Sequence, residues 1–104
     1  MKRIKRRYLA LQLECEGVPT ERELMDAIWA AVTKLYGEVG ASLTGLTLIN
    51  LDVERKIAVI RVSLAAQDMV RASMATVTSI AGKAAAVHVL TISGTLKALH
   101  ANAR

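Results

Sequence analysis

Apolar and polar residues alternate over residues 7–15, where Leu9, Leu11 and Leu13 share one side of the chain. The intervening positions hold Tyr, Ala, Gln and Glu. A period of two residues is that of a β-strand with one buried face. The pattern therefore predicts a first strand whose leucines enter the core.

Three later segments also predict strands. Residues 43–51 and 56–64 are rich in Leu, Ile and Val, and the turn-like residues 52–55 separate them. This arrangement favours a β-hairpin. Residues 84–92 are a further run of small and β-branched residues and predict the fourth strand.

A helix is predicted after the Gly-Val-Pro break at residues 17–19. Thr20 and Glu23 have the spacing of a capping box, in which each side chain accepts a hydrogen bond from the other residue's backbone amide. Apolar residues then recur at helical spacing, and Gly37 or Gly40 is expected to end the helix. The apolar positions are Leu24, Ala27, Ile28, Ala31, Val32, Leu35 and Tyr36.

A second amphipathic helix is predicted over residues 66–81, with Asp68 in its first turn, where a negative charge is favoured. The Gly-Lys dipeptide at 82–83 then turns the chain toward the fourth strand. Residues 93–95 lead into a short C-terminal helix predicted over residues 96–101.

The predicted order of elements is β-α-β-β-α-β plus a terminal helix. It is typical of the ferredoxin-like sandwich with RRM-like topology, an α+β fold with a four-stranded antiparallel sheet and two helices on one face. A chain of 104 residues is long enough for one core. We therefore predict a single domain over residues 1–104, with a basic N-terminal arm at 1–7 and a C-terminal helix and tail at 94–104.

Both faces of the predicted sheet are rich in apolar residues, although two helices cover only one. A face exposed to water would alternate toward polar residues, and an exposed apolar patch above about 400 Å² is abnormal for a monomer. We therefore expect the helix-free face to be covered by the C-terminal helix, by a protein partner or by a second copy of the chain. The residues predicted to contact a partner are Ile57, Val59, Val87 and Val89.

The charges are distributed unevenly along the chain. Fourteen Lys and Arg against nine Asp and Glu give a net charge of +5, yet all nine carboxylates lie between Glu14 and Asp68. If the two basic ends of the chain meet in the fold, they form a positive region that favours nucleic acid or an anionic lipid surface. Solvated charge that only keeps the protein soluble is the alternative.

Residues with catalytic or metal-binding chemistry are few and scattered. Cys15 is the single cysteine and is expected to be a buried hydrophobe in a reducing compartment. His88 and His100 stand apart, and His88 is expected to be a strand residue with one hydrogen bond. Asp52 and Glu54 form a close pair of acids only in a predicted turn. Neither a catalytic site nor a metal site is expected from these residues.

Base stacking and membrane insertion are both disfavoured. The chain has no Phe, and Tyr8 is the one aromatic residue on the first strand, so any RNA contact is expected to be electrostatic. The opening segment lacks the unbroken apolar region of a signal peptide, and no run of about 18 apolar residues occurs. A soluble, cytoplasmic protein without a membrane partner is expected.

Four segments, in this order, resemble the small protein subunits of archaeal and eukaryotic ribonuclease P and ribonuclease MRP. The resemblance covers nearly the whole chain, and its weight lies in the order of the segments rather than in any single motif. The segments are KRRYLALQLE (5–14), ELMDAIWAAVTKLYGEVGAS (23–42), LINLDVERKIAVIRV (48–62) and VLTISGTLKAL (89–99).

This resemblance implies a function. Ribonuclease P is an endoribonuclease that removes the 5′ leader from precursor tRNA, and its RNA subunit carries the catalytic magnesium ions. The resemblance implies that the polypeptide binds no cofactor, has no catalytic residues and supports the RNA together with a larger, TIM-barrel-like protein subunit. Ribonuclease P RNA, precursor tRNA within the holoenzyme, the larger subunit and a second copy of the chain are the implied partners.

The basic residues are the predicted RNA contacts. The strongest candidates are Lys2, Arg3, Lys5, Arg6 and Arg7, and the weaker ones are Arg55, Lys56, Arg61, Lys97 and Arg104. Arg61 could equally serve a structural ion pair. Two other functions stay open at this point: a ferredoxin-like dimeric interaction module without RNA, and a small-ligand regulatory domain of the same topology.

Overall fold

The computed structural model describes residues 5–95, which form an antiparallel sheet with two helices packed on one face. The strands stand in the order β2-β3-β1-β5-β4. The predicted α+β class is confirmed. The elements are β1 (Arg6–Cys15), α1 (Glu21–Ser42), β2 (Thr47–Asp52), β3 (Ile57–Ser63), a 3-10 turn (Leu64–Ala66), α2 (Gln67–Met74), β4 (Ser79–Ile80) and β5 (Lys83–Ser93).

The first strand is the centre of the sheet. It pairs with β3 on one side and β5 on the other, so that Leu11 lies opposite both Ala58 and Val89. Leu9, Leu11 and Leu13 are at most 2% exposed, as their period-two spacing predicted. Burial of a leucine side chain contributes about 1.5–3 kcal/mol, which makes these three residues a large part of the core energy.

Helix α1 begins with the predicted capping box. The Glu23 amide donates to the Thr20 hydroxyl at 3.1 Å, and the Thr20 amide donates to the Glu23 carboxylate at 2.9 Å. The predicted end of the helix is only partly right. Helical dihedrals break at Gly37, whose φ of 77° suits a residue without a Cβ, but the helix resumes and continues to Ser42.

The second helix is shorter than predicted, and this changes the sheet. Helix α2 ends at Met74 instead of continuing to residue 81, and Ser79–Ile80 form a two-residue strand that pairs with the start of β5. The intervening segment contains three β-branched residues, which fit an extended chain better than a helix. The sheet therefore has five strands, and the predicted number of four is wrong.

One apolar cluster unites the helices with the sheet. It contains the inward leucines of β1 together with residues of both helices, so α1 and α2 lie on the same face. Its best-buried side chains include Leu24, Ile28 and Val32 of α1, Val70 and Met74 of α2, and Ile60 and Val62 of β3.

A smaller apolar cluster lies on the helix-free face. Ala10 and Val59 are buried there, and Tyr8 and Ile57 pack against them. This confirms that both faces of the sheet carry apolar residues. We call this surface, on the side of the sheet opposite α1 and α2, the helix-free face.

The predicted set of partner contacts is divided between the two faces. Val87 and Val89 pair with Leu13 and Leu11 and join the main core, so their placement beside Ile57 and Val59 is wrong. A register shift in the β1–β5 ladder disturbs the simple alternation along β5. Ile57 and Val59 lie on the helix-free face, where a partner contact stays a prediction.

Two expectations fall partly or wholly outside the described residues. The arm prediction concerns residues 1–7, of which 5–7 are described, and β1 already begins at Arg6. The predicted C-terminal helix over 96–101 lies outside the described residues. Within residues 5–95, no helix is both long and apolar enough to cross a membrane.

Candidate nucleic-acid interface

The two described ends of the chain meet at one end of the sheet. Tyr8 of β1 pairs with Ser93 of β5 on one side and with Arg61 of β3 on the other. The Arg7 guanidinium lies so close to Gly94 that a Cβ at that glycine would stand 3.1 Å from Arg7 Nη1. The antiparallel pairing therefore brings the start of β1 against the end of β5, as the charge pattern suggested.

Four cations collect at this place, which we call the basic end: Lys5, Arg6, Arg7 and Arg61. Lys5 and Arg6 are exposed, and Arg7 and Arg61 are partly buried. Within residues 5–95 the only ion pairs join Arg22 to Asp26 and His88 to Glu14, so no cation of the basic end has a carboxylate partner there. The positive charge of the basic end is therefore not neutralised by the described part of the chain.

Arg61 has an unusual environment. Its Nε atom is buried without a hydrogen-bond partner, and within the described residues its guanidinium forms no ion pair. The structural ion pair considered for this residue is therefore absent from residues 5–95. A buried donor without an acceptor costs about 1–3 kcal/mol, so this guanidinium is poorly satisfied by its own chain.

The opposite end of the sheet is acidic. Seven of the nine carboxylates lie on the last part of β1, in the connection to α1, in the first two turns of α1 and around the β2–β3 hairpin. They are Glu14, Glu16, Glu21, Glu23, Asp26, Asp52 and Glu54. We call this region the hairpin end.

Two predicted RNA contacts, Arg55 and Lys56, belong to the hairpin end. The β1–β3 register runs from Arg6–Ser63 to Gln12–Ile57, a separation of about 20 Å at the rise of a β-strand. The Lys56 ammonium group donates a hydrogen bond to the carbonyl oxygen of Cys15 at 2.7 Å. The structure therefore does not bring Arg55 and Lys56 together with the basic end, and Lys56 has a structural role.

Four further candidates, Lys2, Arg3, Lys97 and Arg104, lie outside the described residues.

The sequence analysis did not include Tyr8 among the site residues, although Tyr8 lies directly opposite Arg61. Its position two residues after Arg6 on a period-two strand was a usable signal, since both residues face the same side.

Within residues 5–95, the remaining reactive side chains do not form a catalytic or metal-binding cluster. His88 contacts the Glu14 carboxylate at 2.7 Å on the surface, which confirms its single polar contact. Cys15 is partly buried, with its Sγ 3.4 Å from the Gly17 carbonyl oxygen. Across residues 5–95 no group of three or more His, Cys, Asp or Glu residues has the arrangement of a metal site.

The fold and the charges define the class: a small α+β protein whose antiparallel sheet is cationic at one end and acidic at the other. A family model identifies it further. The chain belongs to the Rpp14/Pop5 family, whose model matches residues 7–104. The family expected from the four sequence segments is confirmed.

Curated relatives agree with this assignment. Ribonuclease P protein component 2 of Methanosarcina barkeri is 36% identical over 95 residues, covering 91% of this chain and 69% of the relative. The protein of the same name from Pyrococcus furiosus is 33% identical over 97 residues, covering 93% of this chain and 81% of the relative.

A solved structure has a similar fold. A chain in the cryo-EM structure of yeast ribonuclease MRP matches with a TM-score of 0.69 and 23% identity, covering 92% of this chain and 79% of that chain. The helix–sheet arrangement is therefore shared at low sequence identity.

Proposed function

We propose that the chain is a protein subunit of ribonuclease P, the RNA-based endoribonuclease that removes the 5′ leader from precursor tRNA. The family match over residues 7–104 is the observation that carries this proposal. Relatives named ribonuclease P protein component 2, which align with 91–93% of the chain, support it. The chain acts as a non-catalytic component of this endoribonuclease.

The basic end is the surface through which the chain binds RNA in this proposal. Lysine and arginine neutralise phosphates and release counterions, which gives affinity without reading sequence. A concentrated positive end also orients the protein, because the acidic hairpin end is repelled by the same polyanion. The magnesium ions of the reaction belong to the RNA subunit, and the protein binds none.

The proposed protein partners are the larger, TIM-barrel-like subunit and a second copy of the chain. Support comes from apolar side chains that the described chain leaves in contact with water, among them Trp29, Tyr36 and Leu43. Aromatic residues are enriched at protein interfaces, and large exposed apolar patches mark such interfaces. A cytoplasmic location stays a prediction.

The proposal includes the ferredoxin-like topology with RRM-like order. The order β2-β3-β1-β5 of the longer strands supports it, with the two-residue β4 as an addition at the edge.

Cleavage of precursor tRNA tests the function. The cognate ribonuclease P RNA is incubated at moderate magnesium with the larger protein subunit, in the presence and absence of this chain. We expect the chain to increase cleavage at the correct mature 5′ end, and only when the RNA subunit is present. A folded chain that gives no stimulation with a competent partner would contradict the proposal.

A second measurement separates this function from a dimeric interaction module without RNA. Protein purified at low salt should carry nucleic acid, seen as a raised ratio of absorbance at 260 and 280 nm, and should lose it at high salt. A module without RNA would purify free of nucleic acid at both salt concentrations.

A further inference from the structure

We propose that Arg61 and Arg6, with Tyr8 between them, form a seat for the phosphate groups of an RNA strand on the helix-free face. This inference rests on the proposed function and specifies how the RNA is held. We call these three residues the phosphate seat.

The strand register places the seat residues side by side. Tyr8 lies directly opposite Arg61, and Arg6 precedes Tyr8 by two residues, so all three side chains leave the same face of the sheet. Arg6 is thus the diagonal neighbour of Arg61, at a spacing of about 7–8 Å. Thr47 of β2 pairs with Arg61 on its other side and adds a hydroxyl to the border.

The guanidinium of Arg61 lacks the acceptor that its burial requires. Nε is buried without a partner, and a guanidinium offers a rigid fork of donors that fits two oxygens of one phosphate. Because Nε is buried, a phosphate would bind through the two terminal Nη groups, which are not among the buried unpaired atoms of residues 5–95. The seat therefore gains on binding a hydrogen bond that the described chain does not provide.

Tyr8 anchors the phosphate seat to a rigid part of the sheet. Its side chain packs against Ala10 and Val59, both of which are buried in the small cluster of the helix-free face. Because β1 is the central strand, paired on both sides, the backbone beneath the seat is fixed before RNA arrives. Preorganisation of this kind lowers the entropy lost on binding.

The charge around the seat favours RNA over a carboxylate of a protein partner. Arg6 and Arg61 share the face with the neutral residues Tyr8, Thr47 and Ser63, and no acid of residues 5–95 lies on that part of the face. The two carboxylates outside the hairpin end, Glu38 and Asp68, belong to α1 and α2 on the other side of the sheet. Several adjacent cations without an acid match a chain of phosphates better than a single carboxylate.

Substitutions of Arg61 test the seat with the cognate ribonuclease P RNA as the probe. Arg61→Gln should raise the Kd about tenfold or more, because a hydrogen bond to a charged group is lost. It should also lower the slope of log affinity against log salt by about 0.7–0.9, the contribution of one phosphate. Arg61→Lys keeps the charge, so the salt slope should stay the same while the Kd still rises, since an ammonium cannot form the fork.

Arg22→Gln is the matched control, because it removes one positive charge from an exposed arginine at the hairpin end. We expect this variant to keep the wild-type Kd and salt slope. The melting temperature of Arg61→Gln should stay close to that of the wild type, since glutamine keeps the aliphatic stem and places a polar amide where the unpaired Nε stood.

Four other outcomes would contradict the phosphate seat, and each has a different implication. If Arg61→Gln binds RNA as tightly as the wild type, and the wild type both binds RNA and stimulates cleavage, the phosphate seat is wrong and the proposed function stands. Wild-type protein that neither binds RNA nor stimulates cleavage overturns both. A lower melting temperature in both Arg61 variants, with normal RNA affinity while they are folded, would assign a structural role. Weaker binding to the larger protein subunit without RNA, and unchanged RNA affinity, would assign Arg61 to a protein interface.

Discussion

The basic end and the hairpin end use the same kinds of residue in different ways. At the hairpin end the polar groups are satisfied internally: the Lys56 ammonium donates to the Cys15 carbonyl oxygen, and the Gln12 amide donates to the carbonyl oxygens of Arg55 and Lys56. At the basic end Arg61 has a buried donor without an acceptor. The comparison teaches that Lys56 and Arg61, both predicted RNA contacts, differ in whether the fold supplies a partner for the side chain.

The turn at the hairpin end shows why Lys56 has a structural role. Asp52 accepts hydrogen bonds from the amides of Glu54 and Arg55 and closes the turn. Lys56 has a positive φ of 55°, a conformation that costs a residue with a Cβ about 1–2 kcal/mol. The hydrogen bond from its side chain to Cys15 helps to offset this cost, so Lys56 stabilises the hairpin.

The largest expected effect comes from removing the cations of the basic end. In the triple variant Lys5→Ala, Arg6→Ala, Arg7→Ala, the salt slope of RNA binding should fall by about 2–3, because up to three phosphate contacts are lost. The control substitutes Ala for three cations at or near the hairpin end, namely Arg22, Arg55 and Lys83, the last of which begins β5 close to the end of β1. Binding measured between low and moderate salt checks both variants, and equal losses would show that only net charge matters.

The next effect concerns Lys56. Lys56→Met should lower the free energy of unfolding by about 1–2 kcal/mol, since a partly buried, charge-assisted hydrogen bond to the Cys15 carbonyl is lost. Urea denaturation measures this change. RNA affinity at a temperature where the variant is folded should remain that of the wild type; a lower affinity would place Lys56 in the RNA interface after all.

A smaller effect is expected at Gln12, whose amide donates to Arg55 O at 3.0 Å and to Lys56 O at 3.2 Å. Gln12→Leu keeps the volume and removes the donor, so the free energy of unfolding should fall by about 0.5–1.5 kcal/mol. Amide hydrogen exchange should show the loss in the hairpin. Faster exchange at the start of β1 instead would argue against a local role.

The smallest effect is expected for the surface contact between His88 and Glu14. Both side chains are largely exposed, and pairs of this kind contribute less than about 1 kcal/mol. His88→Gln should therefore leave the denaturation midpoint and RNA affinity almost unchanged. A large loss of either would show that this contact has a function that its exposure does not suggest.

Local signals in the sequence predicted much of the fold. The alternation around Leu9 and Leu11 located the central strand, and the Thr20–Glu23 spacing located the start of α1. Both signals act within a few residues. The end of α2 was predicted too late because apolar residues continue at helical spacing beyond Met74. In the structure, Val77 is buried in the core although it lies in a turn that follows the helix.

The candidate site was only half visible in the sequence. The cluster Lys5, Arg6 and Arg7 could be found by counting, since the three residues are adjacent in the chain. Arg61 was included only as a weak candidate, and Tyr8 was not included, because their pairing depends on the register of two strands about fifty residues apart.

By itself, the sequence determined the family, the α+β class, the first strand and the uneven distribution of charge, because these depend on residue order and short-range periodicity. Only the tertiary structure decided which cations lie together. Strand register joined Arg61 to Arg6 and separated both from Lys56. It also placed Val87 and Val89 in the core instead of beside Ile57. The physical reason is that partners, burial and faces of a sheet are properties of pairing between distant segments, and composition along one segment does not specify them.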